Sequence, residues 1–386
     1  MQQVVSSEEL LAAALQVYEQ GKHPLTAMFG RDETLNGAGY AIYCCFEVPE
    51  KRDVHIVKGV FPAEGSLSYE SLTHAIPAAA WYEREIHDMF GLVPEGHPDL
   101  RPLVLHESFP EDFHPLRKSV AVNAKVRGER KFKIRTAKGQ GLFQVPVGPI
   151  HAGIIEPGHF RFSQAGEAML QLDAKLFFTH RGIEKAVEGK TPEEALHIVE
   201  RICGACSVAN TWSFCQAVEK AAGVAVPRRA EIVRTLLSEL ERITNHVGDL
   251  GNMPAGVGFN PAISLGSRLK EQLMRLCEAV AGNRFLRGVI VPGGVRQDIT
   301  PELIEHIHEV MDATAQGVED LAAMFREQEN FQNRVRTTGI IRNQTAKDLA
   351  MVGVGARASG YAHDSRKDFS YGVYPELGFE PYTMTM

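Results

Sequence analysis

The chain has 386 residues, a length that predicts two or three domains at roughly 100 to 200 residues per domain. Hydrophobic residues make up 44% of it and charged residues 23%, which is typical of globular proteins and excludes disordered or collagen-like classes. The net charge is -7, so basic residues are not in excess and we expect no nucleic acid among the partners of the chain.

The first part of the chain, residues 1–120, has the pattern of a small α+β domain. Apolar residues from Leu10 to Tyr18 keep helical spacing, and short β-branched and aromatic runs follow at Tyr40 to Val48 and Val54 to Phe61. A second helical stretch is predicted from about Leu72 to Phe90. Helix and strands are segregated rather than alternating, which favours the α+β class.

Residues 121–140 are predicted to be a linker, because they follow a proline-rich segment and carry a basic run from Lys125 to Lys138. The run fits a solvated face, and it also fits a strip that docks against an acidic neighbouring subunit. The pattern leaves both interpretations open.

The remainder, residues 141–386, is predicted to be mainly a helical bundle with a small β element at its start, from Phe143 to Phe162. An apolar stripe from Ile232 to Val247 follows Pro227, which suits the first turn of a helix. Residues 302–331 and 345–351 also have a helical pattern.

Neither an export signal nor a membrane span is visible in the sequence. The six cysteines are too sparse for a disulfide-stapled secreted domain, so we expect reduced thiols. We therefore expect a cytoplasmic chain that is attached to a membrane, if at all, through partner subunits.

The sharpest local feature is the C-x-x-C pair formed by Cys203 and Cys206. Thiols at this spacing at the start of a helix lie on one face and can hold a soft metal. We expect Arg201 and the helix N-terminus to lower the thiol pKa values.

Several interpretations of the pair compete. Two buried thiols on a helix are the simplest. A zinc site needs four ligands that the other cysteines do not supply at the usual spacing, and a thioredoxin-like pair needs a βαβ context. Nickel or iron thiolate chemistry remains, although it also needs further ligands.

Residues 201–206 resemble the first of two cysteine motifs that hold the nickel–iron centre in hydrogenase large subunits. Residues 180–185, His-Arg-Gly-Ile-Glu-Lys, are similar to a motif shared by complex I-related hydrogenases and the large peripheral-arm subunit of complex I. Residues 83–91, Glu-Arg-Glu-Ile-His-Asp-Met-Phe-Gly, resemble the small peripheral-arm subunit of complex I, which is fused to the large subunit in formate hydrogenlyase-type enzymes. The motifs follow the family in order along nearly the whole chain.

Two departures favour the hydrogenase over complex I. The complex I subunit lacks the cysteine pair and places a quinone-binding tyrosine nearby, where this chain has Gly204. The complex I loop also carries a second histidine after the position that corresponds to His151, and this chain does not.

The resemblance assigns roles to four residues. Cys203 is implied to be a terminal nickel ligand, and Cys206 to bridge nickel and iron. Glu156 matches the glutamate that exchanges protons with the centre, a role for which we expect a pKa raised by partial burial; a surface carboxylate is the alternative. Glu184 matches a carboxylate that helps to hold magnesium, and an ion pair with a neighbouring basic residue is its alternative.

Arg84, Glu85 and Asp88 form a further charged group in the first domain. We interpret it as a structural ion network rather than a catalytic acid cluster.

The family completes its metal centre with a second C-x-x-C near the C-terminus, whereas this sequence has no cysteine after Cys277. It therefore carries two of the four expected thiolates, and we expect the C-terminal part of the helical domain to be missing from it.

The resemblance implies either of two functions. The first is the catalytic large subunit, or its N-terminal portion, of a nickel–iron hydrogenase of the formate hydrogenlyase type. The second is a non-catalytic subunit like those of NADH:quinone oxidoreductase, which keeps the quinone-binding fold without a complete metal site.

Implied partners are a small iron–sulfur subunit, a ferredoxin-like electron-transfer subunit and membrane subunits of a complex I-like arm. Iron–sulfur clusters are expected on those partners only, because no further clustered cysteines are present here.

Overall fold

The structure is a computed structural model that describes residues 1–21, 23–130, 133–150 and 156–384. These residues form two compact units. The first comprises residues 1–185, 341–369 and 381–384, and the second comprises residues 186–340 and 370–380.

The first unit combines sheets with short helices. Its strands are β1 (Gln2–Ser6), β2 (Leu25–Asp32), β3 (Tyr40–Val48), β4 (Asp53–Phe61), β5 (Ser68–Glu70), β6 (Val93–Glu95), β7 (Phe143–Val147), β8 (His159–Ala165) and β9 (Ala168–Lys175). Its helices are α1 (Leu10–Gly21), α2 (Ala79–Phe90) and the beginning of α3 (Ile183–Val187). The returning segment adds α10 (Asn343–Asp348), α11 (Gly353–Ala358) and α12 (Ser365–Asp368).

The main sheet of this unit has the strand order β1-β4-β3-β2, with β1 parallel to β4 and the other pairs antiparallel. Helix α1 buries Leu10, Ala14 and Val17, which belong to the same hydrophobic core as Ile42 and Phe46 of β3. The predicted strand from Tyr40 to Val48 therefore forms β3 and contributes buried residues to this core.

Helix α2 begins at Ala79, later than predicted from the sequence. The buried carboxylate of Glu83 accepts hydrogen bonds from Ser71 Oγ, Leu72 N and Thr73 Oγ1 at 2.5–2.8 Å, which holds residues 71–73 in a loop. Pro77 further disfavours helical geometry in the residue before it.

A separate three-stranded antiparallel sheet has the order β7-β8-β9. Ser163 of β8 and Asp173 of β9 are buried. Asp173 Oδ1 accepts a hydrogen bond from Arg101 Nη1 at 2.8 Å, which ties the sheet to the segment after α2. Arg130, within the predicted linker, is also buried in this unit.

The second unit is mainly helical. Its helices are α4 (Pro192–Val199), α5 (Ser207–Ala222), α6 (Arg228–Asn252), α7 (Asn260–Ala281), α8 (Pro301–Glu327) and α9 (Glu329–Val335), and β10 (Ile290–Val291) pairs with β11 (Gly294–Val295) in a hairpin.

Helices α6 and α7 approach closely. A Cβ atom on Gly266 of α7 would lie 2.2 Å from the Cα atom of Gly251 of α6, so a larger residue would force the helices apart there. Val233, Leu237 and Leu240, within the stripe predicted for α6, are buried in the core of the unit.

None of the helices among the described residues has both the length and the apolar composition needed to cross a bilayer.

Candidate metal centre

The thiol pair lies in the loop between α4 and α5 rather than within a helix. Cys203 is in the loop, and Cys206 directly precedes the first residue of α5, with φ -132° and ψ 50°. Both are partly exposed free thiols, and the N–H of Ala205 donates to Cys203 Sγ at 3.3 Å. The expectation that both lie on one helical face is therefore wrong; the loop itself brings them together.

The expected lowering of the thiol pKa values is also wrong for Cys206. Burial, the interaction with Cys203 and the charge of Glu241 raise its pKa to about 12. Arg201 is engaged elsewhere, because it donates to His197 O at 2.5 Å and lies 3.5 Å from a carboxylate oxygen of Glu200. Cys206 is thus protonated at neutral pH, and a bound metal would have to displace that proton.

Asn210 contacts Cys206 from the first turns of α5. Its Nδ2 donates to Cys206 O at 2.8 Å and to Cys206 Sγ at 3.4 Å. The amide therefore fixes the cysteine backbone and offers the sulfur a hydrogen bond.

Helix α6 contributes two residues that the sequence analysis did not single out as site residues. Glu241 accepts N–H groups at the start of α5, and Asn245 donates to Ala205 O within the thiol loop at 2.6 Å. Burial raises the pKa of Glu241 to about 7, although its backbone hydrogen bonds act in the opposite direction. The available signal was the spacing of Glu241 and Asn245, which lie four residues apart and therefore on one face of α6.

The donor atoms present fit part of a soft-metal site. Two cysteine sulfurs in one loop suit nickel or iron, which bind thiolates well. Within the described ranges, no group of three or more His, Cys, Asp or Glu side chains is arranged to hold a metal ion. The pair therefore offers two sulfur donors, which is fewer than a complete coordination shell needs.

Glu156 belongs to the first unit, whereas the thiol pair belongs to the second. Its carboxylate accepts hydrogen bonds from Thr179 Oγ1 at 2.8 Å and from Arg181 Nη2 at 3.2 Å. The side chain is 61% exposed, so the partial burial predicted for it is not found. Residues 151–155, where this chain lacks the second histidine of the complex I loop, lie outside the described residues.

Glu184 is an exposed residue in the first turn of α3. The two basic residues proposed as its alternative partners make other contacts: Arg181 pairs with Glu156, and Lys185 donates to Arg117 O at 3.0 Å. Burial, followed by repulsion from Glu184 and from Asp88, raises the pKa of Glu85 to about 7.

Arg84 and Asp88 form structural contacts, as predicted. Arg84 donates to the carbonyl oxygens of residues 101 and 102. The buried Asp88 accepts the N–H groups of residues 103–105 and pairs with Arg130 Nη1 at 3.0 Å. These bonds fix the backbone after α2, which leaves neither side chain available for acid–base chemistry.

Three family models match successive parts of the chain. Residues 3–126 match the 30 kDa subunit of respiratory-chain NADH dehydrogenase, and residues 181–249 match nickel-dependent hydrogenase. Residues 257–386 match the 49 kDa subunit of respiratory-chain NADH dehydrogenase. The thiol pair lies within the segment similar to the hydrogenase.

Curated relatives match from 62% to 95% of the chain. The chain is 36% identical to hydrogenase-4 component G of Escherichia coli over 86% of its own length and 61% of the relative. It is 33% identical to formate hydrogenlyase subunit 5 of the same organism over 95% of its own length and 65% of the relative. It is also 33% identical to membrane-bound hydrogenase subunit alpha of Pyrococcus furiosus, over 62% of this chain and 56% of the relative.

The chain thus spans less than two thirds of the length of these relatives. The order of matched segments, with a hydrogenase part between the two complex I parts, is collinear with the motifs in the sequence. The chain is thus similar along most of its length to subunits of formate hydrogenlyase-type hydrogenases that are related to complex I.

Proposed function

We propose that this chain forms part of the catalytic large subunit of a formate hydrogenlyase-type hydrogenase. The reaction joins two protons and two electrons to give H2, or runs in reverse, with electrons exchanged through an iron–sulfur partner. The observation that carries the proposal is the pair of thiols in one loop, inside the segment similar to nickel-dependent hydrogenase.

The thiols of Cys203 and Cys206 would hold the nickel–iron centre as two of its ligands. When bound, that centre supplies the redox chemistry of hydrogen. The chain supplies the soft donors and a loop fixed by hydrogen bonds, and the proton of Cys206 leaves as the thiolate forms. Two further thiolates would complete the shell.

Glu156 would exchange protons between solvent and the centre. Its carboxylate reaches water directly, and Thr179 and Arg181 fix the position of its two oxygens. These contacts support a carboxylate of defined position that is exposed rather than poised by burial.

Glu184 would contribute an oxygen ligand to magnesium. Its exposed carboxylate is a hard donor of the kind that magnesium prefers, and that ion usually keeps several waters.

The expected partners are a small iron–sulfur subunit, a ferredoxin-like electron-transfer subunit and membrane subunits of a complex I-like arm. The large subunit would associate with the membrane through them. A relative whose name is membrane-bound hydrogenase subunit alpha supports this arrangement.

Metal analysis of the hydrogenase complex tests the proposal. The complex purified with this chain should contain nickel, and Cys203→Ser should remove it, because an alcohol is a poor ligand for a soft metal. Cys45→Ser, which changes a partly exposed thiol in β3, is the matched control and should leave nickel unchanged. Nickel retained in Cys203→Ser would refute the ligand assignment.

A complex I-like, non-catalytic subunit is the second candidate, favoured by the matches of residues 3–126 and 257–386 to respiratory-chain NADH dehydrogenase subunits. It predicts a complex without nickel and without hydrogen exchange, even when cells are supplied with the metal. The same metal analysis therefore separates the two functions.

A further inference from the structure

The loop that carries the thiols is anchored to α6 by a direct hydrogen bond. Asn245 Nδ2 donates to the carbonyl oxygen of Ala205, which lies between the two cysteines in the sequence, at 2.6 Å. The same nitrogen also donates to Glu241 O at 3.0 Å, one turn earlier in α6. The bond to Glu241 orients the amide, so Asn245 reaches the loop from a rigid element.

Glu241 acts at the other end of the loop, where α5 begins. Its Oε1 accepts the N–H of Val208 at 2.7 Å and its Oε2 accepts the N–H of Ala209 at 3.1 Å. The first N–H groups of a helix have no partner within the helix. Glu241 supplies that partner from a different helix.

This arrangement has a consequence for Cys206. The residue before a helix is usually Ser, Thr, Asp or Asn, whose side chain accepts those N–H groups. Cys206 occupies that position and makes no capping hydrogen bond with its side chain. Because Glu241 caps the helix instead, the sulfur of Cys206 remains available to a ligand.

The segment after α7 holds the two flanks of the loop. Arg287 Nε donates to Ser207 Oγ at 3.1 Å, and the N–H of Gly288 donates to Glu200 Oε1 at 2.6 Å. Both ends of the loop therefore have an anchor outside α6, in addition to the contacts that α6 makes with Ala205 and with the start of α5.

We propose that Glu241 and Asn245 are positioning residues, which hold Cys203 and Cys206 in the arrangement that binds a metal. The inference rests on the proposed function, since that function makes the two thiols ligands. Groups that orient metal ligands typically change metal affinity by about tenfold to a hundredfold when they are replaced.

Cobalt(II) alone, added to the full chain, tests this role without requiring catalysis. The charge-transfer absorption between thiolate and cobalt measures binding, and the d–d bands report the coordination geometry. Glu241→Gln replaces one acceptor oxygen with an NH2 group, and Asn245→Asp removes the donor to Ala205 at nearly constant volume. Each should weaken cobalt binding about tenfold or more and shift the d–d bands.

Two variants on the same helix serve as matched controls. Glu239→Gln changes a glutamate that contacts Arg242 and Tyr374, and Asn252→Asp changes an exposed asparagine at the end of α6. Both should bind cobalt with the affinity and the spectrum of the unaltered chain.

The outcomes distinguish the positioning role of Glu241 and Asn245 from the proposed metal-binding function of the two cysteines. If Cys203→Ser and Cys206→Ser abolish the charge-transfer band while Glu241→Gln and Asn245→Asp leave affinity and spectrum unchanged, the positioning role is refuted and the thiol site stands. If the cysteine variants bind cobalt as before, the proposed metal site itself fails. Loss of helical circular dichroism in both α6 variants would also refute the inference, because the residues would then be general stabilisers of the bundle.

Discussion

At the scale of single residues, the protonation state of the Cys206 thiol bears on how this residue could bind a metal. A redox or nucleophilic cysteine needs a lowered pKa, so that the thiolate is present before the reaction. Burial instead raises the pKa of Cys206 to about 12. A metal that bound to this sulfur would therefore release a proton as the thiolate formed.

Glu156 provides a test at the same scale. Glu156→Gln keeps the size of the side chain and removes its ability to carry a proton, so we expect turnover of H2 to be lost while nickel content stays unchanged. Hydrogen evolution and metal content should be measured on the same preparation. Glu167→Gln, in the turn between β8 and β9, is the matched control for an exposed carboxylate and should retain activity. Loss of nickel from Glu156→Gln would indicate a structural role instead.

At the scale of secondary-structure elements, a buried ion pair joins two helices and the hairpin of the second unit. Arg234 of α6 has a relative exposure of 0% and binds Glu219 of α5 through two hydrogen bonds of 2.6 and 3.1 Å. It also donates to the carbonyl oxygens of Val291 and Gly294. The pair fixes α5, and hence the loop before it, relative to α6.

Breaking this pair should destabilise the second unit strongly. Glu219→Ala removes the carboxylate that binds the buried guanidinium through two hydrogen bonds and leaves Glu231 at 3.7 Å, and we expect the free energy of unfolding to fall by about 3–5 kcal/mol. Urea unfolding followed by helical circular dichroism measures the change. Lys220→Ala, which alters the exposed neighbour on α5, should cost less than about 1 kcal/mol. Equal losses in the two variants would contradict the proposed importance of the buried pair.

At the scale of the whole molecule, the first unit includes residues 341–369, which follow the helical unit in the sequence. His363 Nε2 lies 2.6 Å from Glu47 Oε2 of β3, and both residues are buried. The hydrogen bond to Glu47 is the main reason that the pKa of His363 is raised, with Asp368 and Asp364 adding to the effect and burial opposing it. The ring of Tyr361 packs beside the imidazole.

The raised pKa of His363 gives the stability of the first unit a pH dependence of defined sign. The protonated histidine is favoured in the folded state, so its contribution is complete below the unfolded pKa of about 6.5 and is lost as pH rises through the higher folded pKa. His363→Gln should therefore flatten the fall in unfolding midpoint that the unaltered chain shows above about pH 6.5. Thermal unfolding across this pH range measures the effect.

His308→Gln, which changes an exposed histidine of α8, is the control and should keep the pH dependence of the unaltered chain. Identical pH profiles for the unaltered chain and His363→Gln would rule out the pair as the source of the effect.

Much of the candidate site could be predicted from the sequence, because its strongest features are local. The spacing of Cys203 and Cys206 and the order of the motifs are sufficient to indicate the family. The stripe of α6 and the strand β3 also follow from short-range periodicity. The helical placement of the thiols and the partial burial of Glu156 could not be predicted correctly, because they depend on where α5 starts and on how Thr179 and Arg181 face the carboxylate.

The sequence by itself predicted the resemblance to the hydrogenases, the thiol pair as candidate ligands and the fusion of a complex I-like part to a hydrogenase-like part. Only the tertiary structure decided which distant side chains support them. Asn245 is 40 residues from Ala205, and His363 is 316 residues from Glu47. The physical reason is that periodicity reports which face of an element is buried, whereas the partner of a buried polar group is chosen by how separate elements pack.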